Sequence, residues 1–461
     1  MRIRSTRLVA PAIVFLAFTS FALAGWKKTT MGPGGDYPSI ALDAQAHPHI
    51  FFQDTITPGG PMLRHAFFNG SEWRREIVES GDVGSWTSAA VDSLGHPHVA
   101  YRQESPVPGL KYARFDGTNW QITSVDEGGF STSIALDASD HPHISYVGGA
   151  SGTDARYATF DGNNWSTETI AAGALYFGAT SIALDSAGAA HVSFSDQSLP
   201  RKLYYATNST GPWVVDFVDD GRDGSLALDS DDIPHIAFLA ESAGELRYAS
   251  LDGMTWEIER ISDGDAPSLK IDAFDRPHVV FGFSFGGISF LAHVKHDGND
   301  WFGQVIGGPQ TGLRSSLALD SVGLPYIASH KLTTSGESRL LYVRLRAPDL
   351  SGSWQPLSRV VVTGGELVTG TLVVANQGVI ESKPIAVRFF SSDDDLIDPS
   401  DTLLPLTVGV GKIKPGRSKP AAFSLTFHTP IAGKRIIALL DTTGTNDEAT
   451  RDNNAVAGVV P

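Results

Sequence analysis

The chain has 461 residues, with 51 Asp and Glu against 35 Lys and Arg, no cysteine, 48 glycines and 26 prolines. An acidic balance of this size repels phosphate backbones and anionic membranes, so nucleic acid and lipid are excluded as main partners. Without cysteine there is no disulfide framework, and a chain of this length must hold itself together by its packed core.

The N-terminus carries Arg2, Arg4 and Arg7, then an apolar run over 8–22 and the small-x-small step Ala22-Leu23-Ala24. This pattern predicts a signal peptide over 1–24, cleaved after Ala24. The remainder then has a net charge of −19 and contains no other apolar run of membrane-spanning length. The expected location is secreted, periplasmic or at the cell surface.

One sentence then recurs seven times. Its Asp/His pairs are Asp43/His49, Asp92/His98, Asp137/His143, Asp185/His191, Asp229/His235, Asp272/His278 and, with tyrosine for histidine, Asp320/Tyr326. Each Asp follows a Ser by four residues (Ser39, Ser88, Ser133, Ser181, Ser225, Ser268, Ser316). Successive Asp positions lie 43 to 49 residues apart, the period of a four-stranded propeller blade. Within each repeat the predicted strands are the Ser-to-Asp segment, the segment around His, a third such as Leu110–Phe115, and a fourth opening at a Trp after an Asp-Gly turn. The prediction is an all-β fold: a seven-bladed β-propeller over 26–347. The segment at Trp26 completes the last blade, with Trp354 as the rival for that role. Residues 348–461 lose the repeat and alternate as a C-terminal immunoglobulin-like β-sandwich.

The Ser/Asp/His series could be misread as seven hydrolase triads. Its presence in every repeat favours a buried Asp–His–Ser hydrogen-bond set that pins each hairpin. His47, His96 and His141 form His-Pro-His with the next histidine; two imidazoles on one strand face could ligate a metal, but no carboxylate partner is evident in the sequence. Lys270 stands where the other six repeats have Ala, and should either reach into the channel or mark a locally open blade. Turns between first and second strands, and third and fourth, are nearly uniform and lie on one face. Loops on the opposite face differ, and variable loops on a rigid scaffold are where a binding site belongs. The candidate ligand-binding residues are Arg102, Glu104, Asp196, Arg201, Arg222, Glu241, Lys270, His330, Trp86 and Tyr176. Asp393, Asp395, Asp398 and Asp401 could supply oxygens to a structural calcium, although the run lacks the glycine and terminal glutamate of an EF-hand loop. No other cofactor is expected.

The repeats resemble bacterial exported propellers with sialidase-like and WD-repeat-like blades, and the Asp116-Gly-Thr-Asn-Trp120 turn is similar to a degenerate Asp-box. That resemblance implies fold only, because the scattered arginines supply no sialidase triad. The tail, through Val374-Ala-Asn-Gln-Gly378, Lys414-Pro-Gly416 and Asp452-Asn-Asn454, resembles a CARDB-type module, which implies adhesion or spacing. The expectation is an exported, non-enzymatic recognition or adhesion protein that binds a glycan or protein ligand at the cell envelope. The alternative is a polysaccharide-directed hydrolase or lyase at the channel mouth, which requires converging carboxylates near Lys270 or Arg222.

Overall fold

The computed structural model describes residues 26–149, 152–173, 180–298, 300–321, 323–345, 350–378, 380–394, 401–440 and 455–461. The segment predicted as a signal peptide, Tyr176, Asp395 and Asp398 lie outside the described residues. Every regular element described is a β-strand.

Strands gather four at a time around an axis, each blade an antiparallel meander. Blade 1, for example, is Asp36–Leu42, Pro48–Asp54, Met62–Phe68 and Trp73–Ser80 from the axis outward. Blades 2 and 3 share one 17-residue strand, Trp120–Leu136, and so form a continuous sheet. The strand can pass between blades because Gly128 and Gly129 take left-handed φ, and a Cβ on Gly128 would stand 2.3 Å from the Gly148 Cα. The ring closes non-covalently: Trp26–Pro33 pairs antiparallel with Ser338–Leu345, Trp26 opposite Leu345, as the outer strand of blade 7. Trp354 does not close the ring. It packs in a separate core, its Nε1 donating to the Val456 carbonyl at 3.0 Å.

A propeller has no single core, and seven apolar clusters lie one at each blade–blade interface. Phe51 and Leu63 of blade 1 meet Val99 and Tyr101 of blade 2; Ile50 and Phe52 meet Ala328 and Tyr342 of blade 7 across the closure. An eighth cluster, with Val387, Phe389, Phe423 and Ile436, fills a sandwich of two four-stranded sheets built from Leu350 onward.

The repeated polar residues knit the ring in two ways. In five blades the Asp carboxylate approaches the His six residues on, at 3.4 Å for Asp92–His98 and 3.1 Å for Asp229–His235. The imidazole's other nitrogen meets a third-strand Tyr, as at Tyr112–His98 (2.6 Å), or a histidine in blades 1 and 6. That third-strand ring then packs edge-on against the next blade's Trp: Tyr112–Trp165 at 5.2 Å, Tyr248–Trp301 at 5.2 Å, and His293–Trp26 at 5.5 Å. Blade 1 departs from the pattern, with Asp43 taking His47 at 3.0 Å while His49 turns to His65.

The serine belongs to a different set from the one expected. Each Ser Oγ accepts the backbone N–H that follows the equivalent Ser in the next blade: Ser39 from Ala89 (2.9 Å), Ser88 from Ile134 (3.0 Å), Ser133 from Ile182 (3.2 Å), Ser181 from Leu226 (3.0 Å), Ser225 from Leu269 (3.0 Å), Ser268 from Leu317 (3.1 Å) and Ser316 from Ile40 (3.2 Å). Ser therefore makes no triad with His. It is a link in a seven-membered belt around the axis.

The His-Pro-His histidines are also accounted for without metal. His96 Nδ1 and His98 Nε2 both lie 3.4 Å from one Asp92 oxygen. The first histidine of each pair roofs the glycine of the turn before strand four: Cβ atoms on Gly70, Gly117 and Gly162 would lie 3.0–3.3 Å from His47, His96 and His141 Nε2. These glycines have φ of 91–93°, which a side chain would strain.

Candidate functional site at the channel mouth

The innermost strands begin earlier than the Ser-to-Asp motif. Their register slips just before the Ser, between Asp36 and Ser39, Ser85 and Ser88, Arg222 and Ser225, and Asp265 and Ser268. This bulge puts the residue two before the Ser in the left-handed region: Tyr37 (φ 50°), Trp86 (53°), Ser131 (55°), Asp223 (56°) and Ala266 (47°). For bulky side chains such backbone is costly, and it persists where packing over-determines it, above all at functional sites. Here the clamp is visible on three neighbours. The hydroxyls of Thr87, Thr132 and Thr180 donate to the carbonyls of Tyr37, Trp86 and Ser131, each on the preceding blade.

The strained residues surround a cavity of about 380 Å³ at the axis, to which all seven blades contribute. That volume is at the low end of the range for small-ligand pockets. Blades 1, 2 and 7 form an aromatic and cationic wall: the rings of Tyr37 and Trp86 lie 4.9 Å apart, and the Arg314 guanidinium stacks 3.9 Å from the first centroid and 4.9 Å from the second. Ser131, Thr132 and Thr180 line the cavity on blades 3 and 4. Arg222, Asp223 and Asp265 close the circle from blades 5 and 6. Desolvation raises the Asp265 carboxyl, against the lowering pull of Arg222.

Of the residues singled out in the sequence, Trp86 and Arg222 line the mouth. Arg201 and Glu241 stand behind Arg222, since Arg201 donates to Glu241 and the Arg222 Nε lies 3.5 Å from the same carboxylate. His330 reaches Asp36 at 3.3 Å, within the influence of Arg314. Lys270 pairs with His278 in the register that Ala41 keeps with His49, so its blade is not open. Its side chain reaches water along the axis, deeper than the mouth, while the surrounding walls desolvate the ammonium and lower its pKa.

Three candidates are not free to bind. Arg102 is only 5% exposed, stacks on Phe130 and donates to Glu104 at 2.8 Å and to the Gly128 carbonyl, so Arg102 and Glu104 are partners within the wall. Asp196 holds its own loop, accepting from Ser198 at 2.6 Å and from the Lys202 amide at 2.9 Å. In the sandwich, Asp393 pairs with Lys434 at 3.0 Å and Asp394 bonds to Ser392, and no cluster of three metal-ligating residues occurs among the described residues. The sequence reading missed Tyr37, Asp223, Asp265 and Arg314. Aligning the seven copies two places before the Ser exposes Tyr37, Asp223 and Arg314: Tyr, Trp, Ser, Ala, Asp, Ala and Arg stand there, ahead of a motif that hardly varies, while Asp265 lies one place earlier and carries no such signal.

No family model and no curated protein matches the chain. Among solved structures, it is similar to an ulvan lyase (TM-score 0.49, 12% identity, 69% of this chain and 96% of that one). It is also similar to a protein of unknown function from Dyadobacter fermentans (0.45, 12%, 70% and 99%) and to a mutant Aleuria aurantia lectin with a bound fucosylated sugar (0.42, 13%, 56% and 90%). Likeness at this level carries no ligand or activity over to this chain.

Proposed function

We propose that this chain is an exported, non-enzymatic recognition protein whose propeller binds a glycan at the channel mouth, with the C-terminal sandwich, a CARDB-like spacer or adhesion module, presenting it at the cell envelope. The observation that carries the reading is the set of five strained, mutually different residues two before a belt serine. A uniform scaffold bends its backbone to aim Tyr37, Trp86 and Asp223 into one cavity. Aromatic faces, hydroxyls and carboxylates in a shallow polar pocket suit sugar rings and their hydroxyl groups. A glycan array followed by calorimetry tests it. Wild type binds at least one glycan class, and Trp86→Ala together with Asp223→Asn weakens that binding at least tenfold. Silence across the array, or indifference to both substitutions, refutes it.

A second reading has one specific support: Asp223 and Asp265 converge at the mouth beside Arg222, and Asp265 is the carboxyl pushed toward its protonated form. An acid and a base so placed are what glycoside cleavage requires. Release of reducing ends or unsaturated products from any polysaccharide, lost in Asp265→Asn, would establish it in place of simple binding.

A further inference from the structure

Arg314 is the anomaly of this surface. The chain has 51 acidic side chains for 35 basic ones, and the guanidiniums around the mouth are committed to carboxylates: Arg102 to Glu104, Arg201 to Glu241, Arg222 to Asp223 and Glu241, Arg247 to Asp219 and Glu245. Arg314 is exposed and has no ion pair or hydrogen bond among the described residues. What holds it is stacking: Tyr37 and Trp86, both on left-handed backbone, present their rings to it at 3.9 and 4.9 Å. A guanidinium fixed by its faces keeps its N–H edge free, and that edge matches a carboxylate or sulfate bidentately. Strain at two positions and an unneutralised charge at a third thus serve one group aimed at the cavity.

On the adjoining blades 6 and 5 stand Asp265 and Asp223, with Ser131 and Thr132 of blade 3 on the opposite side. Carboxylates there accept hydrogen bonds from sugar hydroxyls and repel a second anion. The site is therefore divided along its rim: an anion receiver on blade 7, hydroxyl acceptors on the adjoining blades 6 and 5.

We infer that the channel mouth selects an acidic sugar, a glycan residue bearing a carboxylate or sulfate, and that Arg314, stacked on Tyr37 and Trp86, receives the anionic group. This rests on the glycan-binding reading above and adds the ligand's charge to it.

The test compares polygalacturonate oligosaccharides with their methyl esters, and dextran sulfate with dextran, by calorimetry on the full chain. The expected result is at least tenfold tighter binding of one acidic form than of its neutral counterpart. Arg314→Gln should bring that ratio near one, while Arg314→Lys should retain part of it, because Lys keeps the charge but not the planar fork. A preference for polygalacturonate assigns a carboxylate, and for dextran sulfate a sulfate; either supports the inference. Acid-to-neutral ratios near one in wild type, or unchanged in Arg314→Gln, overturn it and leave the glycan reading standing. Failure of all four probes together with silence on a glycan array removes both. Binding of poly-glutamate, but of neither acidic glycan, also overturns the inference.

Discussion

The Oγ of Ser316 accepts the amide N–H of Ile40 at 3.2 Å, across 276 residues of sequence. It is the link of the serine belt that joins blade 7 to blade 1, at the seam where the outer strand of blade 7 comes from the segment leading into blade 1 and has no hairpin to Ser338–Leu345. The same seam holds the Trp26–Pro33 strand and Arg75, which donates to the carbonyls of Met31 and Pro33 at 2.8 Å each.

Ser316→Ala leaves the Ile40 amide unsatisfied beside a side chain that is only 4% exposed. The cost is about 1–3 kcal/mol. Ser88→Ala, at the boundary between blades 2 and 3, which share the strand Trp120–Leu136, should cost a similar amount. Only the first should speed hydrogen exchange in residues 26–33, because that strand is held to blade 7 by pairing alone, with no hairpin joining it to Ser338–Leu345. Equal exchange in the two variants would mean that the belt does not help close the ring.

Much of this fold was legible because a propeller repeats its constraints. Asp, His and Trp recur at fixed spacing, so seven blades and their strands followed from Asp43 to Tyr326. The serine was misassigned because a single repeat, considered alone, offers only its own His as a partner. The true acceptor–donor pair lies one blade away and appears only when repeats are stacked. Trp86 was legible as an aromatic outside the core pattern, and aligning the repeats exposes the position of Arg314, but nothing in the sequence marks that arginine as stacked and unpaired. Arg102 looked equally available, and packing on Phe130 removed it.

Two alanines sit on left-handed backbone where glycine is better tolerated: Ala46 (φ 58°), at the turn position that glycine fills in three other blades, and Ala266 (φ 47°) at the mouth. The left-handed penalty is roughly 1–2 kcal/mol for an L-residue, part of it offset by the added freedom of glycine in the unfolded chain. Ala46→Gly and Ala266→Gly should each stabilise by about 0.5–1 kcal/mol, read as a rise in melting temperature. A fall in both would show that the backbone there is not strained.

Acid should weaken the ring before it titrates the belt aspartates. Desolvation, helped by like-charged neighbours, lowers His49 and His98 to about 4, and lowers His143 and His278 as well. Unfolded, these imidazoles titrate near 6.5, so below that pH the unfolded chain binds protons that the folded one refuses. Stability is therefore greatest above pH 6.5 and falls as pH drops toward 4, by about 2 kcal/mol at pH 5 for each of His49 and His98. Burial alone would raise the carboxyls of Asp185 and Asp229, but hydrogen bonds from backbone amides and from His191 and His235 hold them low, so their loss begins only at more acid pH. Melting temperatures from pH 8 to 4 check this. A curve flat from 7 to 5 would contradict buried neutral histidines.

Lys270 is the natural counter-test, because at the same position six blades have alanine. Its ammonium has no partner among the described residues, and burial lowers its pKa. The folded state therefore holds this proton less well than the unfolded chain does. That penalty is present at pH 7 and is relieved only as pH rises toward 10.4. Lys270→Ala should raise the melting temperature at pH 7, and its advantage over wild type should shrink as pH approaches 10. A destabilised Lys270→Ala would mean that the aliphatic stem packs the channel and outweighs the charge. If the variant is more stable yet binds acidic glycans less tightly, the lysine is retained for the ligand, since a desolvated charge that weakens the fold is kept where binding uses it.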